Sequence, residues 1–64
     1  MKVRDVIKLL ESDGWTLVST GGSHRQFTHR TKKGRVTVAG NSGKDVPIST
    51  LKSILRQAGL TAKD

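Results

Sequence analysis

The residues best suited to chemistry lie in the segment Gly21-Gly22-Ser23-His24-Arg25-Gln26-Phe27. A histidine directly behind a glycine pair sits where the chain must turn, and imidazole titrates closer to neutrality than any other side chain. Along an extended strand, successive side chains point to opposite faces. Phe27 is one of only two aromatic residues and belongs in the core. His24 has the opposite parity and therefore projects to the other side. An imidazole there can serve RNA cleavage as a general base that takes the 2′-hydroxyl proton, or as a general acid that protonates the leaving 5′-oxygen. Neither step needs a metal. Nearby Arg or Lys side chains would stabilise the charge on the phosphorane-like state. Taken alone, an exposed histidine is more often an ordinary surface residue.

Other residues rank lower. His29 shares the parity of Phe27, which points it inward or to the sheet edge and favours a structural role, with substrate support as the secondary reading. Ser23 has no acid or second base near it in sequence, so it reads as a turn or hydrogen-bonding residue rather than a nucleophile. The loop Gly40-Asn41-Ser42-Gly43-Lys44 lacks the G-x-x-x-x-G-K-[ST] spacing of a nucleotide cradle. Trp15 and Phe27 are too few for a base-stacking platform. The Lys32-Lys33 tip reads either as a phosphate contact or as a solvated turn. With two His and zero Cys, neither a metal centre nor any other cofactor is expected.

The elements that must position these residues follow from periodicity. Val3, Val6, Ile7 and Leu10 have the i, i+3, i+4, i+7 spacing of an amphipathic helix, and Gly14 falls where a left-handed residue would stop it. Asp13 in the last turn opposes the helix dipole, with no compensation visible in the sequence. Residues 15–20, 24–30 and 35–39 predict three strands, joined by Gly21-Gly22 and by Thr31-Lys32-Lys33-Gly34. Residues 40–47 predict a polar loop closed by Pro47, which leaves Val46, flanked by loop signals, outside the core. Ile48, Leu51, Leu55 and Ala58, with Ile54 beside them, mark a last helix with Ser49 as its N-cap and Gly59-Leu60 as its close. That stripe reads as core, not as a membrane or partner helix. Two short hairpins make the sheet antiparallel, with both helices on one face and the other face free for a ligand. The expected fold is α+β, in the order α-β-β-β-α of a double-stranded RNA-binding domain, and fold alone does not supply function.

Charge is concentrated where these strands lie. The chain carries 12 Lys and Arg against 5 acidic residues, a net charge of +7. Residues 1–13 are balanced. Residues 24–44 hold Arg25, Arg30, Lys32, Lys33, Arg35 and Lys44 with no acid at all. Such a strip is the electrostatic footprint of a protein that neutralises phosphates, and these six cations, with Gly22 and Ser23, are the expected substrate contacts. A basic hairpin kept for solubility, or one that meets an acidic protein partner, would carry the same charge. Sixty-four residues with 33% hydrophobic content make one domain, residues 1–64, with a small core. A deep enclosed cavity is not expected, so chemistry belongs on a shallow surface. No apolar run approaches the ~18 residues of a membrane span, and the start of the sequence lacks a long secretory stretch. The expectation is a cytoplasmic, monomeric domain with no membrane partner.

Several spaced motifs add a resemblance. Gly22-Ser23-His24 follows a Trp-containing strand, and Phe27-Thr28-His29 lies behind that turn. Gly34-Arg35-Val36-Thr37-Val38 occupies the third strand, and Ser49-Thr50-Leu51-Lys52-Ser53-Ile54-Leu55 with Ala58-Gly59-Leu60 closes the chain. As a set, spread over residues 2–60, they resemble the HicA family of toxins, the RNA-cleaving members of type II toxin–antitoxin pairs. The resemblance implies an mRNA interferase, a metal-independent endoribonuclease that arrests growth. It places His24 at the family's catalytic histidine and implies a HicB-type antitoxin that covers the active face. Many relatives carry a His after the third strand, in a Pro-x-His type segment, where this chain has Ala39-Gly40-Asn41. Asn41 can hydrogen-bond but cannot shuttle a proton, so the resemblance here favours a mechanism with a single His. The rival is a non-catalytic module that binds double-stranded RNA by shape and charge. Against it, Ser49-Thr50-Leu51-Lys52-Ser53 lacks the Lys cluster such domains place over phosphates, and the position of His24 would go unexplained.

Overall fold

The computed structural model describes residues 1–60. Five elements follow in order: α1 (Val3–Ser12), β1 (Trp15–Gly21), β2 (His24–His29), β3 (Val36–Val38) and α2 (Ile48–Gln57). The strands form one antiparallel sheet in the order β1-β2-β3, so β2 is central and both neighbours are edges. The expected α+β order and antiparallel pairing are therefore present.

Register decides which side chains share a face. Phe27 lies opposite Leu17 and Val36, and Gln26 lies opposite Ser19 and Thr37. The Phe27 face brings Trp15, Val36 and Val38 into one cluster with Val3, Val6 and Leu10 of α1, Ile54 of α2 and Ala58 just past its end. Both helices thus cover the same face. The opposite face carries Thr16, His24, Gln26, Thr28 and Thr37, all polar. Alternation fails at one point, because the register slips between Leu17 and Ser19. Val18 is the extra residue of this bulge, and both Leu17 and Val18 are exposed.

Distant parts of the chain close the helix ends. The first-turn N–H groups of Val3 and Arg4 donate to the carbonyls of Lys44 (2.9 Å) and Ser42 (3.1 Å), so the loop after β3 caps α1. The Val46 N–H donates to the Met1 carbonyl at 2.9 Å, and Lys2 Nζ pairs with Asp45 at 3.1 Å. Val46 is buried in consequence, correcting its assignment to a solvated loop. Helix α2 begins two residues earlier than its N-cap signal predicts. Pro47 is the cap, with its carbonyl accepting the Leu51 N–H at 2.8 Å, and Ser49 sits inside the first turn. At the far end Gly59 has φ +71°, and the Leu60 N–H reaches the Leu55 carbonyl at 2.7 Å, the closure its sequence predicts. The inward line of α2 runs from half-buried Leu51 through buried Ile54 to its C-cap, Ala58. Ile48 lies about a quarter-turn from that line at 100° per residue and is 67% exposed, so it leaves the predicted core stripe.

Lys32 joins the two helices. Its ammonium pairs with the Asp13 carboxylate at 2.5 Å and donates to the Ala58 carbonyl at 2.9 Å. Asp13 and Ala58 are the C-caps of α1 and α2, so one cation faces the negative ends of both helix dipoles. Asp13 is therefore compensated after all, from a residue nineteen positions away. The Lys32 hydrogen bond holds its carboxyl below the ordinary value of 3.8.

His29 belongs to this same corner. Its Nδ1 accepts the backbone N–H groups of Thr31 (3.1 Å) and Lys32 (3.2 Å), and its Nε2 lies 2.7 Å from the Asp13 carbonyl. An accepting Nδ1 puts the proton on Nε2, which donates to that carbonyl. The ring also meets Trp15 edge-on, with centroids 5.2 Å apart. Gly14, with φ +100°, lies under the ring, and a Cβ there would come within 2.9 Å of Nε2.

Candidate active site

The β1–β2 hairpin closes in two residues, Gly22 and Ser23, because Gly21 already pairs with His24. Gly22 takes φ +59° and Ser23 keeps a negative φ, the pattern of a II′ turn, which suits strand twist and favours glycine in first place. The turn is thus one residue later than the Gly21-Gly22 pair suggests. Its tightness makes His24 the first residue of the central strand. By alternation His24 lies on the helix-free face with Gln26 and Thr28, and it is exposed.

The residues around the turn come from well along the chain. The Gly40 N–H donates to the Ser23 carbonyl at 3.1 Å, extending the β2–β3 ladder to the hairpin end. Arg25 lies on the Phe27 side and donates from Nη1 to the Gly40 carbonyl at 3.0 Å. Gly40 is therefore clamped beside the turn, and the loop that follows, with Asn41, starts there. Lys44 and Ser23 line one cleft of about 390 Å³. Lys44 reaches that cleft from the loop after β3, and its stem lies 3.5 Å from where a Gly40 Cβ would stand, beside Val3 of α1.

The six central cations do not act as one strip. Arg30, Lys33, Arg35 and Lys44 are exposed. Arg35 donates from Nη1 to Gln26 Oε1 at 2.8 Å, which holds its guanidinium over the helix-free face. Arg25 is half-buried on the Gly40 carbonyl, and Lys32, expected as a phosphate contact, is held by Asp13 and Ala58 instead. Neither engagement has a local sequence signal, because each partner lies at least fifteen residues away.

An exposed imidazole and a guanidinium on the polar face, with an ammonium in the cleft that Ser23 lines, form a usable set. Cations can hold the charge of a phosphodiester while the imidazole exchanges a proton with one of its oxygens. Among the described residues no group of three or more His, Cys, Asp or Glu could hold a metal ion, and no helix is long and apolar enough to cross a membrane.

No curated protein matches this chain. Among family models, the one described as the HicA toxin of bacterial toxin–antitoxin systems matches residues 3–60, nearly all of the 64. With its fold, its helix-free polar face and that match in hand, the chain is a member of the HicA toxin family, a toxin of a toxin–antitoxin system.

Proposed function

We propose that the chain is an endoribonuclease that cleaves mRNA without a metal, with His24 as its general acid or base and with a HicB-type antitoxin covering the helix-free face. One observation carries this reading: His24 is exposed at the start of the central strand, directly after Ser23, which shares a cleft with Lys44. In the reaction the 2′-oxygen bonds to phosphorus as the bond from phosphorus to the 5′-oxygen breaks. One proton leaves the 2′-oxygen and one joins the 5′-oxygen, giving a 2′,3′-cyclic phosphate and a free 5′-hydroxyl. His24 carries one of those two transfers. Lys44 and Arg35 stabilise the charge that builds on the phosphoryl oxygens.

Single-stranded RNA incubated with excess chelator tests this directly. Wild type should cleave it to cyclic-phosphate ends and His24→Ala should not. Cleavage retained in a folded His24→Ala protein would remove the catalytic assignment. Salt provides a second measure. Four exposed central cations predict a slope of about −3 for log affinity against log salt on single strands, where all six would give about −4. A flat response would assign the basic strip to a protein partner.

A further inference from the structure

We infer that the cleft between the free edge of β3 and the start of α2 seats a nucleobase of the RNA strand, next to the phosphodiester that His24 reaches. The inference rests on the endoribonuclease reading and adds to it the part of the substrate that this site recognises.

Position comes first. Ser23, directly before His24, lines the cleft together with Thr37 and Ala39. In an antiparallel pair, alternate residues exchange both of their backbone hydrogen bonds with the partner strand. Gly40 bonds to Ser23, and Val38 lies opposite Arg25, so Val36, Val38 and Gly40 turn their backbone groups toward β2. Thr37 and Ala39 turn theirs outward, into the cleft. Among the described residues no backbone partner takes these N–H and C=O groups, and with the hydroxyls of Thr37 and Thr50 they are the donors and acceptors that read the polar edge of a base.

The remaining walls suit a flat ring. Val46, Pro47 and Ile54 form an apolar side. At the rim Lys44 stands beside Asp45, whose carboxylate is paired with Lys2 at 3.1 Å. The Asp45–Lys2 pair cancels itself, which leaves Lys44 for the phosphate beside the cleft and an uncharged interior within it. That interior suits a neutral group with polar edges, and Asp45 can accept from an exocyclic amine. At about 390 Å³ the cleft lies inside the roughly 300–1,000 Å³ range of small-molecule sites. An added protein strand fits less well. β3 offers only three residues, and the loop after it closes one end of the edge by bonding to α1.

The test fills the cleft. Thr50→Phe puts a ring into it from an exposed first-turn position, and Ala39→Leu fills it independently from the β3 side. The 5′ ends of products from a random-sequence RNA pool are sequenced for each protein. Wild type should favour one class of base beside the cut, and both variants should lose that preference, with favoured sites cut about tenfold more slowly. A preference unchanged in both folded variants, or none in wild type, overturns the subsite and leaves the endoribonuclease reading intact.

If wild type cleaves no RNA, that reading fails and binding decides the subsite alone. His24→Ala is then titrated with a short 2′-O-methyl oligonucleotide while backbone amides are followed by NMR. Shifts at Ala39, Val46 and Thr50 that vanish on adding Thr50→Phe support the inference. Shifts confined elsewhere, or no binding, overturn it. So does a cleft that responds to an antitoxin and to no RNA.

Discussion

Two histidines stand five residues apart on the same strand, and the fold puts them to opposite uses. His29 lies on the helix-covered side with both ring nitrogens committed, one to two backbone N–H groups and the other to a carbonyl. His24 lies on the bare side, exposed, at the strand's first residue. An odd separation along a strand places two residues on opposite faces, so the contrast is built into the spacing. It teaches that residue type does not settle the role of an imidazole. A ring whose nitrogens are already bonded cannot trade a proton without breaking structure, and a ring left free can.

Paired alanine variants test this contrast most strongly. His24→Ala should reduce cleavage by about 10²–10⁴-fold. Its stability to urea should stay within about 0.5 kcal/mol of wild type, as befits a surface position. His29→Ala should do the reverse. Its folded fraction should cleave at the wild-type rate, while urea unfolding shows a loss of about 2 kcal/mol from orphaned backbone groups and the lost Trp15 contact. A stable His29→Ala protein that cannot cleave RNA would place chemistry on the covered side and end the distinction.

A comparable loss is expected from Gly14→Ala, about 1–3 kcal/mol, since alanine at φ +100° is strained and its methyl meets the His29 ring. Rescue of that variant by His29→Ala in a double-mutant cycle would show that the two act on one contact.

Acid should have the mildest effect, and its sign is fixed. The Lys32 hydrogen bond lowers the Asp13 carboxyl in the folded protein below 3.8, so its stabilisation is complete above that value. It is lost as pH falls through the folded value. Asp45 shifts the same way through its pairing with Lys2. Urea midpoints should therefore drop on acidification, and Asp13→Asn should show a shallower drop from a lower starting stability. An identical slope in that variant would show that the Asp13–Lys32 pair contributes nothing.

What the sequence made legible were features encoded by neighbours. Both helices, three strands and the glycine stops at 14 and 59 follow from local spacing, and so does the side on which His24 lies. What stayed hidden depends on contacts across the chain. Val46 is buried because residues 1–4 bond to its loop, and no neighbour of Val46 announces that. Lys32 looks like a solvated tip until both helix ends arrive beside it. Ile48 fits an apolar spacing but falls off the side that meets β3, which only the direction of packing reveals. The bulge at Val18 arises from pairing with β2, and the cleft between β3 and α2 is made by elements that are not sequence neighbours.

The clasp at Lys32 also bears on the order in which the domain assembles. Its partners lie nineteen and twenty-six residues away in opposite directions along the chain. Such a junction closes large loops, and that entropic cost is recovered only once the hairpin and both helices are standing. The expectation is a latch set late, so that Lys32→Ala speeds unfolding and leaves the folding rate near wild type in stopped-flow kinetics. A latch of that kind does little for the speed of folding and governs how long the domain, once shut, stays shut.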